Sequence, residues 1–133
     1  MTGGPGEPAG QRRKRRRLSR SGEFERVYRE GRSHAGRQLV LHAFPRTGEA
    51  DGPRLGISVG RRVGGAVERN RVKRMLREAF WACAGPLPDT HDFVIVARPE
   101  ALKLAESEGE PGLRAALSEL LDSVASATPP AAP

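Results

Sequence analysis

The sequence predicts an α/β (α+β) sandwich, a small mixed sheet packed against helices, and three observations lead there. Gln38–Phe44 (QLVLHAF) and Arg54–Gly60 (RLGISVG) have strand composition, the second alternating Leu55, Ile57 and Val59 with small or polar neighbours. Asp92–Ala97 (DFVIVA) is a continuous apolar run, the pattern of a strand buried on both faces. Segments with helical spacing lie between and around these runs, which argues helices layered on a sheet. A chain of 133 residues has room for one domain. With 37% hydrophobic and 5% aromatic residues, its core is expected to be modest and aliphatic.

Taken in order, residues 1–11 (MTGGPGEPAGQ) are Gly- and Pro-rich without periodicity and read as a disordered arm. Residues 126–133 (SATPPAAP) read as a disordered tail, leaving residues 12–125 for the single domain. Arg12–Arg17 (RRKRRR) is a block of six cations. Ser21 is placed to cap a helix over Ser21–Glu30, with Glu23 and Glu25 in the dipole-favoured first turn. Phe24, Val27 and Tyr28 form its stripe, and Gly31 stops it. The strands Gln38–Phe44 and Arg54–Gly60, joined by the polar Pro45–Pro53, are expected to pair as a hairpin. A last helix is expected over Gly112–Val124, with Leu113, Leu117, Leu120, Leu121 and Val124 facing the core.

Charge narrows the function. Lys+Arg is 23 against 16 Asp+Glu, a net +7, and all but three of the cations are Arg, whose planar fork suits phosphate. Residues 1–77 carry 20 basic and 7 acidic side chains (+13), whereas residues 78–133 carry 3 and 9 (−6). That asymmetry points to a basic surface meeting a polyanion. The longest apolar run, Ala79–Ala84, is six residues, far below the ~18 that a membrane-spanning helix needs. The N-terminal charges are followed by no apolar stretch of a secretory signal. One cysteine, Cys83, excludes an intrachain disulfide or a multi-cysteine zinc site. A cytoplasmic protein is expected.

Val67–Ala84 is the most informative segment. At helical spacing, Val72, Met75, Leu76, Ala79, Phe80 and Cys83 share one face, and Asn70, Arg71, Lys73, Arg74 and Arg77 occupy the other. A solvated face ordinarily mixes Glu with Lys and Arg in i,i+4 pairs. Here Arg69, Arg71, Lys73, Arg74 and Arg77 are opposed only by Glu68 and Glu78 at the margins, and such repulsion suits a polyanionic partner. The preceding loop Gly60–Gly65 (GRRVGG) matches neither a Walker nor a dinucleotide-binding motif. It does place glycines and Arg61 and Arg62 at a helix N-terminus, where backbone can approach phosphate.

The string Gly56–Phe80 (GISVGRRVGGAVERNRVKRMLREAF) resembles the signature of the bacterial ribonuclease P protein component family. Its hallmark is an Arg-Asn-Arg core, an apolar residue and Lys-Arg, here Arg69 to Arg74, and Asn70 is the chain's only asparagine. The first helix with Leu18, the region of Gly31 and Arg37, and Asp92–Arg98 also resemble the family, so that the likeness spans residues 12–125. It implies a ribosomal-protein-like sandwich with a left-handed βαβ crossover around the basic helix, against the usual right-handed rule. It implies removal of the 5′ leader from precursor tRNA, with the RNA subunit as catalyst holding the Mg²⁺ ions and none bound by the protein alone.

By the same resemblance, Arg61, Arg62, Arg69, Asn70, Arg71, Lys73, Arg74 and Arg77 would contact the catalytic RNA. Phe24, Tyr28, Arg37 and Ser58 would line a cleft for the leader. Phe24 and Tyr28 could equally be core residues, although aromatics beside a basic cleft suit stacking on unpaired bases. The chain departs from the family at His42, where a second aromatic is common, and at Gly60, where Ser is usual.

The residues fit an auxiliary role. No nucleophile–base–orienter set and no metal cluster is visible, His34, His42 and His91 are scattered, and Cys83 falls on the apolar face. No catalytic residue is therefore assigned, and no obligate protein partner or membrane is implied. Two other classes stay open: a non-catalytic ribosomal or RNA-assembly protein, and a DNA-binding helix-turn-helix regulator.

Overall fold

The computed structural model describes residues 16–18, 21–46, 52–85, 87–88 and 90–127. The expected N-terminal arm, Arg12–Arg15 of the cationic block and residues 128–133 of the expected tail lie outside them. The elements are β1 (Arg16–Arg17), α1 (Ser21–Glu30), β2 (Arg32–Ala35), β3 (Leu39–Pro45), β4 (Arg54–Val59), α2 (Ala66–Ala82), β5 (His91–Ala97) and α3 (Glu100–Ala127). This is the mixed α+β arrangement the sequence predicts, with one five-stranded sheet ordered β1-β4-β5-β3-β2.

β5 sits at the centre because its sequence is apolar toward both faces. Phe93 and Ile95 enter the larger core, and Val94 enters a smaller one on the opposite side. β4 runs parallel to it from Arg54↔Asp92 to Val59↔Ala97, and β3 runs antiparallel from Leu39↔Ala97 to Pro45↔His91. The expected hairpin of β3 with β4 is therefore wrong: β5 inserts between them. The physical reason is burial. A β3–β4 hairpin would leave the most apolar strand on an edge, with one flank in water.

Two strands have no apolar signal in the sequence. β2 (RSHA) is almost wholly exposed and is held by its antiparallel ladder to β3, and β1 is two arginines beside β4. The last helix also begins earlier than Gly112. α3 starts at Glu100 and is broken at Gly109, whose φ of 70° is the left-handed region that glycine tolerates. Pro111, which lacks an N–H, opens the second half, where such a donor would be unpaired anyway. The Gly-Glu-Pro-Gly string looks like a loop, but Ala101 and Ala105 ahead of it are buried on the core.

α2 and α3 cover one face of the sheet. Val72, Leu76 and Phe80 pack with Leu113, Leu117 and Leu121 over Leu41, Leu55 and Ile95. Among the described residues, α1 is the one helix on the other face, where its Val27 packs with Leu18 and Val94. One short helix cannot roof five strands, and the described residues leave part of that face open beside it.

Candidate nucleic-acid interface

α2 presents its charges because its apolar residues are committed to the core. Val72, Leu76, Ala79 and Phe80 are fully buried, and the opposite side faces outward. The loop before it is pinned by the buried Val63, whose N–H donates to Gly60 O (3.1 Å), leaving Arg61 and Arg62 exposed. Glu68 Oε1 accepts the Gly65 N–H (2.8 Å), which ties the first turn of the helix to the loop.

Asn70 and Arg74 form the exposed crest, and Arg69, Arg71, Lys73 and Arg77 are half-buried along its flanks. The Nε atoms of Arg69 and Arg71 are buried without a hydrogen-bond partner, although Arg71 Nη2 lies 3.6 Å from Glu106 on α3. A buried Nε–H without a partner is costly, and because both side chains are otherwise only half-buried, each guanidinium can turn that donor outward to a phosphate oxygen. On the other flank, Lys73 and Arg77 turn toward the edge of β4, beside Arg16, Arg17 and Trp81. Sequence reasoning misses Trp81, and it has Arg16 and Arg17 only as part of the Arg12–Arg17 block, whose charge suits contact with RNA or DNA. For Trp81 a signal exists: it stands four residues after Arg77 and eight after Lys73, a spacing that assigns it to the same flank.

The open face beside α1 gathers the expected leader residues, with one exception. Phe24 is half-buried on Leu18, Val27 and Val94, and its ring lies over Gly56: a Cβ there would stand 2.5 Å from Phe24 Cζ. Tyr28 is 41% exposed and meets His42 edge-on at 4.9 Å between ring centroids. Ser58 is half-buried two residues beyond Gly56, hence on the same side of β4. Arg37 stands apart. It is exposed in the β2–β3 turn and lines a depression shared with Leu104 and Ala116 of α3. His42 joins the cleft wall: burial lowers its pKa, favouring the neutral ring, and its buried Nδ1 has no partner.

A polar network fixes α1 over the sheet. Asp92, almost wholly buried, accepts hydrogen bonds from Arg46 Nη1 (2.7 Å), Arg54 Nε (2.8 Å) and Arg54 Nη2 (2.7 Å). Arg54 Nη1 donates to Glu23 Oε2 (3.0 Å) in the first turn of α1. The hydrogen bond to Asp92 is the main cause that raises the Arg54 pKa, so the cation is permanent. Cys83 is half-buried, and burial pushes its thiol up, away from the reactive thiolate. Among the described residues, no three His, Cys, Asp or Glu side chains converge as they would around a metal ion, and no helix is long and apolar enough to cross a membrane.

What the site can do is bind. Its chemistry is that of guanidinium, ammonium, amide and aromatic groups, the set that grips phosphates and unpaired bases. Residues 13–121 match the family model for ribonuclease P. The ribonuclease P protein component of Shouchella clausii is 44% identical over 96 residues, covering 72% of this chain and 78% of that protein. The RNase P protein of Staphylococcus aureus superposes with a TM-score of 0.73 at 31% identity, over 84% of this chain and 96% of the other. That of Thermotoga maritima gives 0.72 at 30% identity, over 82% and 97%. The alternative of a helix-turn-helix regulator fails on topology, since α2 is flanked by the strands β4 and β5.

Proposed function

The chain belongs to the bacterial ribonuclease P protein component family, and from that premise we propose that two faces of it serve two RNAs. The family's protein is a subunit of an endoribonuclease, and it associates with the ribonuclease P RNA. On the finer reading, the crest and flanks of α2 (Arg69, Asn70, Arg71, Lys73, Arg74 and Arg77), with Arg61 and Arg62, hold the catalytic RNA. The cleft beside α1, with Phe24, Tyr28 and Ser58, takes the 5′ leader of precursor tRNA, and Arg37 meets RNA further along. The RNA subunit performs the cleavage and carries the Mg²⁺, and the protein contributes affinity and orientation in the cytoplasm.

The observation that supports this most is the pair of buried, unpartnered guanidinium Nε atoms at Arg69 and Arg71, on either side of Asn70. A protein that merely solvated a charged helix would leave those donors in water. The open aromatic cleft on the opposite face of the sheet supplies the second surface. The test is cleavage of precursor tRNA by a bacterial ribonuclease P RNA at low Mg²⁺. Addition of this chain should raise the rate, whereas highly purified, RNA-free protein should not cleave. Cleavage by the protein alone, or no effect of adding it, would refute the reading.

A further inference from the structure

The sheet stops short at the free edge of β4. β1 is two residues long, and once Leu18 N–H has donated to Leu55 O (2.9 Å) no strand continues alongside β4 among the described residues. Alternation along a strand turns the peptide groups of Ile57 to the same edge as those of Leu55. The gap is a groove of about 290 Å³ between β1, the ring of Phe24 and the Lys73 flank of α2.

Its lining is unusual in charge. Arg16, Arg17, Lys73 and Arg77 border it and, among the described residues, no carboxylate does, while Leu55 and Trp81 supply apolar surface. Among the described residues, no Asp or Glu forms an ion pair with Arg17, Lys73 or Arg77. Trp81 is half-buried against the core, its ring edge-on to Phe80 at 4.9 Å and 88°. Three clustered cations with no counter-charge among the described residues ask for an anion, and a half-exposed indole beside them asks for a flat ring.

We propose that this groove binds one unpaired nucleotide of RNA, its phosphate held by Arg17, Lys73 and Arg77 and its base against Trp81. The open main-chain edge at Ile57 offers donor and acceptor groups to the base. The chemistry stands on the groove itself; which RNA supplies the nucleotide rests on the ribonuclease P reading. Two sources fit, the catalytic RNA and the precursor leader, because Lys73 and Arg77 belong to one proposed surface and Phe24 to the other.

The chain has a single tryptophan, so its fluorescence reports on this groove alone. The full-length protein is titrated with a short unstructured oligoribonucleotide, adenosine 5′-monophosphate, inorganic phosphate and an oligoglutamate peptide. The expected result is quenching by the oligonucleotide and the monophosphate, with phosphate and peptide at least ten-fold weaker. Arg17→Glu, which keeps the reporter, should weaken the oligonucleotide by ten-fold or more while thermal stability stays unchanged. Equal quenching by peptide or phosphate would overturn the nucleotide assignment. So would unchanged emission when a labelled oligonucleotide is shown by anisotropy to be bound.

Arg17→Glu is then measured against catalytic RNA, precursor tRNA in the holoenzyme, and mature tRNA. Loss confined to catalytic RNA assigns the nucleotide to it, and loss confined to precursor assigns it to the leader. Wild-type affinity of Arg17→Glu for all of them overturns the proposal. Failure of the wild-type protein to bind catalytic RNA at all would instead count against the proposed function, and the oligonucleotide titration would still decide the groove.

Discussion

Arg54 holds Asp92 with two parallel hydrogen bonds, Nε to Oδ1 at 2.8 Å and Nη2 to Oδ2 at 2.7 Å, across directly paired positions of β4 and β5. The third face of the same guanidinium reaches Glu23, so one side chain ties two strands to α1. Asp92→Ala would leave Arg46 and Arg54 without their shared acceptor in a mostly dehydrated site. The expected cost is about 3–5 kcal/mol, read by urea denaturation. Glu23→Gln acts at a more hydrated contact and should cost only about 0.5–1 kcal/mol. If the two variants cost the same, Asp92 is not the keystone of the network.

Phe24 is packed on one side and open on the other. Phe24→Ala should lower stability by less than the ~3–5 kcal/mol typical of a fully buried phenylalanine. In the holoenzyme it should reduce the ratio of precursor to mature tRNA affinity, since stacking on an unpaired base is worth about 1–3 kcal/mol. Gly56→Ala provides an independent approach, because the new methyl must displace the same ring. A large stability loss with an unchanged affinity ratio would assign Phe24 to the core.

Replacing Arg69, Lys73 and Arg74 together by Ala removes three cations while leaving every fully buried side chain of α2 in place. The fold should survive, as circular dichroism would show. Affinity for the catalytic RNA should fall, and the slope of log K against log salt should flatten by about 0.7–0.9 for each phosphate that is no longer neutralised. An unchanged slope would mean that these side chains face solvent in the complex.

The pH dependence of stability follows from two histidines. Burial lowers the pKa of both His42 and His91, and at His91 the Arg46 cation lowers it further against the opposing charge of Asp92. In the unfolded chain both take up protons below about pH 6.5, whereas the folded chain resists until lower pH. The unfolded state therefore binds more protons in that window, and stability falls as pH drops through it. The denaturation midpoint should be lower at pH 5 than at pH 7.5, and His91→Gln should narrow the difference. A variant with the wild-type difference would exclude His91 as a source.

Much of this was legible in the residues. The first helix occupies Ser21–Glu30, the bounds expected of it, with its stripe residue Val27 buried, and the apolar DFVIVA run lies within the buried central strand. The basic helix is displaced by only one residue at its start and two at its end, because cationic and apolar faces are both local patterns. The failures are non-local. β1 and β2 exist through ladders to neighbours, and the order of β3, β4 and β5 depends on which strand gains most from two-sided burial. Arg54 and Asp92 lie 38 residues apart, and neither carries a signal of the other. The site divides the same way: the α2 cations follow from spacing, while the union of Trp81 with the arginines of β1 needs the fold.

The sheet's central strand is the last of its five to be synthesised. A nascent chain presents β3, β4 and the cationic helix before residues 91–97 exist to join them. Until then Leu41, Leu55 and Phe80 lack the surface that later buries them, and α2 has no reason to keep its charges facing outward. The first 77 residues carry 20 basic and 7 acidic side chains, and they emerge beside ribosomal RNA. The later residues, with 9 acidic side chains against 3 basic, bring the strand that closes the core and lower the net charge at the same time.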